Sequence, residues 1–383
     1  MNRISVSETV IRWALDRSSK KSSIEQRFPK LAEWLSGSSN PTMRQLEALA
    51  KATSTPLGYF FLPEPPEEHL SIPHFRTIDS EHPYRPSPDL LETVQEMERR
   101  QAWMREYLIE EGQEPLDFVG SAQLTIEPEQ LAEDMRDTLG LTNEWAADQS
   151  RWTDALRHLQ SRMEAAGILV VVNGIVGNNT HRRLDPVEFR GFVLVDEYAP
   201  LVFVNGADGK AAQMFTLAHE LAHIWYGSSA AFDLRELQPS ENKTEQACNR
   251  AAAEFLVPAN QLFDFWPSVN QQPERFQAIA RHFKVSELVS VRRAMDLGLI
   301  TRSEFSDFYR NYQEKQRCAA AQGQDGGNFY ATQNLRIGRR FAEFVIRAAR
   351  EGKILYRDAY RLTGLHGKTF EQYANSIING DTT

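Results

Sequence analysis

Met214-Phe-Thr-Leu-Ala-His-Glu-Leu-Ala-His-Ile-Trp-Tyr226 is the stretch whose reading decides this chain's fold. Phe215, Leu217, Ala218, Leu221, Ala222, Ile224 and Trp225 cover nearly every side of a helix wound at 3.6 residues per turn. A helix apolar all round is buried, so the His219, Glu220 and His223 it carries need partners inside the protein. Two ordinary histidines on a polar helix face are the bland alternative, and the apolar flanks argue against it. His219 and His223 are four residues apart, hence on one face and one turn apart. Both imidazoles can then point at one Zn2+. Glu220 projects beside that metal rather than onto it, where a carboxylate can take a proton from metal-bound water. His219-Glu-Leu-Ala-His223 is thus the HExxH pattern of metalloproteases.

Upstream, Gly167-Ile-Leu-Val-Val-Val-Asn173 is a short apolar run closed by Asn-Gly, which suits a buried strand. Phe189 to Val195 and Leu201 to Asn205 read as two more strands. If the Leu201 to Val204 strand is a sheet edge, an extended peptide could pair with it. Helical spacing resumes at Lys210 and continues to about Pro258.

Two histidines and a water leave zinc short of a third protein ligand. The next candidate helix, Glu241 to Leu256, carries Glu245, Cys248, Asn249 and Glu254. Glu245 and Asn249 are again four apart. One of them could bind the metal while the other accepts a free imidazole N–H. Cys248 as a thiolate and Glu254 deeper along the helix are rival ligands, with an ion pair the other reading of Glu254. A hydrolytic site also needs a donor for the developing oxyanion. Tyr226, three residues beyond His223, is the first candidate, with Tyr198, His181 and Arg250 as rivals.

Helical spacing dominates the rest of the chain, so the class is α+β, mostly helical, with a small sheet packed on the HExxH helix. Residues 1–63 form a small helical domain, in which Thr42 can cap a helix. Residues 64–88, studded with prolines, read as an extended linker. Residues 89–320 hold the metal core (about 165–260) and a helical part (about 274–320), and a helical region covers 333–383 beyond a Gly-rich break. The 383 residues carry a net charge of −9, which excludes a basic nucleic-acid coat protein. Residues 1–63 nevertheless hold nine Lys/Arg against five Asp/Glu, a local +4, leaving −13 for the remainder. Two cysteines make no disulfide framework. Neither a secretory h-region nor an apolar run long enough for a membrane is present, so a cytoplasmic protein with no membrane contact is expected.

Thr216-Leu-Ala-His-Glu-Leu-Ala-His223, then Glu245-Gln-Ala-Cys-Asn249, then Ala252-Ala-Glu-Phe-Leu-Val-Pro258 resemble the ImmA/IrrE metallopeptidase family, over residues ~165–300. Cys248 stands where that family usually has Ala. The resemblance implies a zincin-like fold, Glu245 as third ligand to Zn2+ and Glu220 as general base. It extends to Phe28-Pro-Lys-Leu-Ala-Glu-Trp34 and Pro41-Thr-Met-Arg-Gln-Leu46, which look like the Xre-type helix-turn-helix of one subfamily. Ile72-Pro-His-Phe-Arg-Thr77 and the region from Gly338-Arg-Arg-Phe341 to Tyr356-Arg-Asp358 look like the same subfamily. The implied partner is an Xre-type repressor or a toxin/antitoxin-like protein, cleaved to control transcription or a stress or mobile-element response.

A helix-turn-helix reads bases with the first residues of its second helix. Here that helix would begin near Pro29, with Lys30 and its neighbours as readers; Arg44 is a further candidate DNA or partner contact. Between Ser22 and Trp34 there is little room for two full helices and a turn, so the reading helix is expected to be short. The same module could instead dock a partner or form a homodimer. A regulator whose peptidase fold only senses or grips its partner is the main rival function, and a zinc hydrolase of small molecules is another. The segment around Ile72 to Arg76 could plug the site, and His74 could approach it.

Overall fold

The computed structural model describes residues 3–18, 21–68, 70, 72, 86–232, 243–319 and 329–379, which group into two compact units, 1–96 and 97–383. His74, residues 73–76 of the suggested plug and the Gly-rich break at 323–327 lie outside the described residues.

In the first unit α1 (Glu8–Asp16), α2 (Lys21–Arg27), α3 (Leu31–Leu35), α4 (Met43–Ala52) and a 3-10 turn at Leu57–Phe61 enclose a core of Val10, Ile11, Leu31, Trp34, Leu46 and Phe60. Thr42 caps α4 through a capping box. Its Oγ1 accepts from the Gln45 N–H at 3.4 Å, and Gln45 Oε1 accepts from the Thr42 N–H at 2.9 Å. The segment expected to hold a short reading helix forms α3, five residues long with Leu31 and Trp34 buried.

α5 (Pro88–Glu110) starts in the first unit and belongs to the second from Met97 on. α6 (Pro128–Leu139) and α7 (Trp152–Ala165) follow, and Gly140, in a left-handed conformation, ends α6. β1 (Leu169–Asn173), β2 (Ile175–Val176), β3 (Asn179–Arg183), β4 (Gly191–Leu194) and β5 (Leu201–Asn205) follow. After α8 (Lys210–Tyr226) comes β6 (Ala230–Phe232). The main sheet has the order β1-β5-β4-β6, with β1 parallel to β5 and the other neighbours antiparallel. β2 and β3 form a separate hairpin.

This order corrects one expectation. β5 is interior, paired to β1 on one side and β4 on the other, so no peptide can add to Leu201–Val204. Its continuous apolar run fits a strand buried on both faces. The outer side of β1 is covered too: at Gly338, just past α14 (Phe329–Ile337), a Cβ would stand 2.8 Å from the Val170 carbonyl oxygen. Among the described residues, the terminal strand on the other side is β6.

The remaining helices are α9 (Lys243–Leu256), α10 (Ala259–Val269), α11 (Arg275–Phe283), α12 (Glu287–Asp296), α13 (Arg302–Ala319), α15 (Arg339–Arg350), α16 (Tyr356–Thr363) and α17 (Gly367–Asn379). The protein is therefore α+β and mostly helical. No helix among the described residues is long and apolar enough to cross a membrane.

Candidate metal centre

α8 lies against β4, β5 and α9, and every residue from Gln213 to Trp225 is buried. Gly191 permits that approach. A Cβ there would come within 2.5 Å of Thr216 Cγ2, 2.8 Å of the Phe203 carbonyl oxygen and 3.5 Å of Glu220 Oε1. The glycine thus makes room on β4 for the helix and for the Glu220 carboxylate.

His219, His223 and Glu245 converge from α8 and α9, with one donor atom from each lying within 4.8 Å of the others. The two Nε2 atoms are 3.1 Å apart. Glu245 Oε2 is 3.1 Å from His219 Nε2, and Oε1 is 3.3 Å from His223 Nε2. All three side chains are buried, at 0%, 1% and 3% exposure.

The outward-facing nitrogens explain what this cluster requires. His219 Nδ1 lies 3.0 Å from Asn249 Oδ1, an acceptor, so Nδ1 carries the proton and Nε2 keeps its lone pair. That lone pair faces a second imidazole nitrogen and a carboxylate at hydrogen-bond range. Burial lowers the His219 pKa, against the pull of Glu245, which favours the neutral ring. Two imidazoles and a carboxylate around one point could hold a divalent cation, and nitrogen-rich sets of this kind suit zinc.

His223 Nδ1 lies 3.1 Å from Ser228 Oγ, a residue that sequence reasoning missed. Gly227 ends α8 in a left-handed conformation, and the Ser228 N–H then donates to the His223 carbonyl at 3.2 Å. This turn folds Ser228 back against the ring it orients. The signal was in the sequence, as a glycine after the last helical residue followed by a hydroxyl.

The rival ligands have other partners. Cys248 lies in the hydrophobic core, and burial pushes its thiol well above the usual range. Glu254 forms a buried ion pair with Arg293, and its Oε1 accepts from the Ala259 N–H at 3.1 Å. Tyr226 ends α8, half-buried on the core, where burial pushes its hydroxyl up to about 12. Of the other donor candidates, Tyr198 lies beside Arg105, while His181 on β3 and Arg250 on α9 are exposed. Lys30 caps α3 and Arg44 sits in the first turn of α4, both exposed.

Residues 163–295 match the family model of the IrrE N-terminal-like domain. The match spans the sheet, α8 and α9, and so contains every residue of the donor set. It supports the ImmA/IrrE resemblance and a metallopeptidase-like domain over that range. Residues 337–376 match a second model, a domain of unknown function (DUF8813). The first unit lies outside both matches. A search of curated proteins finds no match. Within the matched range, Glu220 is wholly buried, one residue along α8 from His219 and next to the space kept by Gly191.

Proposed function

We propose that this protein is a zinc-dependent endopeptidase acting on a regulatory protein partner, an Xre-type repressor or a toxin/antitoxin-like protein. The observation that carries the reading is the buried convergence of His219, His223 and Glu245 with Glu220 alongside. Zinc held by these three side chains would supply Lewis acidity, activating a water and polarising the scissile carbonyl. Glu220 takes the proton of the attacking water on a carboxylate oxygen and gives it to the leaving amine nitrogen. Asn249 and Ser228 hold the two imidazoles in their orientations. We assign the oxyanion donor to Tyr226, three residues beyond His223 at the end of α8.

An extended substrate would pair with β6, the terminal strand beside β4, rather than with β5. A strand at the end of the sheet is support for a peptide substrate over a small molecule. We assign residues 1–63 a docking or dimerisation role. The support is the five-residue α3, whose apolar side chains are spent on the core.

The test is incubation of the full chain with the protein encoded beside it, followed by mass spectrometry. A defined cut, lost on chelation and restored by zinc, is expected. The Glu220→Gln variant should cut about 10²–10⁴-fold more slowly. A stable uncut complex would instead select the non-catalytic sensing role.

A further inference from the structure

The C-terminal helices hold a feature that the peptidase reading does not use. α15, α16 and α17 pack as a three-helix unit around Phe341, Val345, Ala359, Phe370, Tyr373 and Ile377. Only Gly364, Leu365 and His366 separate α16 from α17. Gly364 and Gly367 both adopt positive φ, at +68° and +50°, so the chain turns sharply between the helices. Tyr360 on α16 packs edge-on against Phe370 on α17, with ring centroids 5.2 Å apart. Two helices joined through a short glycine-containing turn, backed by a third, make the helix-turn-helix arrangement.

The charge of this unit differs from its surroundings. Residues 337–379 hold eight Lys/Arg against four Asp/Glu, a local +4 within a chain of −9. Several of these cations serve the fold: Arg339 pairs with Glu343, and Lys353 with Glu111 and Glu351. Arg361 and Lys368 are exposed, and neither has a carboxylate partner among the described residues. Arg357 and Arg361 are four apart on the exposed face of α16, opposite Ala359 and Thr363. Lys368 and Gln372 are four apart on the exposed face of α17, beginning in its first turn. Glu371 shares that face; in a base-reading helix a carboxylate can accept from cytosine.

A second element meets the turn. The β2–β3 hairpin docks there, with Asn178 Nδ2 donating to the Gly364 carbonyl at 3.0 Å. β3 is exposed along most of its length and carries His181, Arg182 and Arg183. The hairpin thus sets a further basic strand beside the turn.

We propose that this C-terminal unit, with the β2–β3 hairpin, is a surface that binds double-stranded DNA. In such a surface the helix before the turn crosses the backbone, and the first turns of the next helix enter the major groove. Arg357 and Arg361 are placed for phosphates, Lys368 and Gln372 for base edges, and Arg183 for a flanking phosphate. The net positive charge of this unit favours a polyanion over an acidic or neutral protein surface. This assignment does not depend on catalysis at the metal centre.

The experiment is fluorescence anisotropy of a labelled duplex of mixed sequence, titrated with the full chain across a salt series. Saturable binding at low salt that weakens as salt rises is expected. Arg361→Ala with Lys368→Ala should weaken binding about tenfold or more and reduce the salt slope by about one, through the phosphate contact of Arg361. The charge-keeping pair Arg361→Lys with Lys368→Arg should retain it, which separates lost charge from lost fold. Lys30→Ala with Arg44→Ala should leave it unchanged. No binding at low salt would overturn the proposal. Binding lost only in the Lys30/Arg44 pair would overturn it as well, by placing the DNA surface in the first unit. So would a duplex that stays unbound while the Arg361/Lys368 pair loses a protein partner, since the unit would then be a protein-docking surface.

Discussion

At the residue scale, each imidazole of the candidate metal centre is held by a group on its far side. Asn249 and Ser228 occupy those positions. Replacing either by Ala should lower zinc affinity by about 10–100-fold, read by competition with a chromogenic chelator. Asn249 was legible in the sequence because it shares a helix face with Glu245. Ser228 was not, because its approach depends on a left-handed turn at Gly227 rather than on helical periodicity. Far from this centre, burial pushes Glu164 up to about 7 from its ordinary 4.5, against the hydrogen bond it accepts from the Arg340 N–H at 3.0 Å. Between those two pH values the folded protein binds this proton more readily than the unfolded chain does. Its contribution to stability therefore falls as pH rises through that window. Glu164→Gln keeps the acceptor and removes the charge. Thermal melts should show the variant roughly 2–4 °C more stable than wild type at pH 8, with the difference vanishing near pH 4.

At the element scale, α8 and the three longer apolar strands were readable because burial on every side leaves an uninterrupted apolar run. β2, β3, β6 and α10 were not. β2 and β6 are too short for a period to show, β3 is a run of polar residues, and α10 contains Pro267, which reads as a break. Strand order was not legible either: β5 looks the same locally whether interior or at an edge, and only its pairing with β1, far back in the chain, decides. Where β4 meets α8 there is no spare volume. Gly191→Ala should cost about 1–3 kcal/mol in chemical denaturation and lower zinc affinity, because Thr216 and Glu220 must move. An unchanged denaturation midpoint would show that α8 does not press on β4 as described.

At the scale of the whole molecule, the net −9 divides into basic and acidic regions. Residues 1–63 and 337–379 each carry +4, and the acidity is concentrated in the stretch between them, which holds the candidate metal centre. The sequence showed the first basic region. The second escaped notice because its charge is diluted when counted with the acidic remainder. A ligand that binds only the folded state stabilises it by mass action, so stripping metal should lower the main melting transition by several degrees. Readdition of zinc should restore it in wild type but not in Glu245→Ala. The most direct test of the metal centre is the metal content of purified protein by inductively coupled plasma mass spectrometry. Wild type and Glu220→Gln should each hold close to one zinc per chain, and His219→Ala, His223→Ala and Glu245→Ala far less. A wild-type chain that takes up no metal when zinc is supplied, or a Glu245→Ala chain that holds it as tightly as wild type, would contradict the assignment.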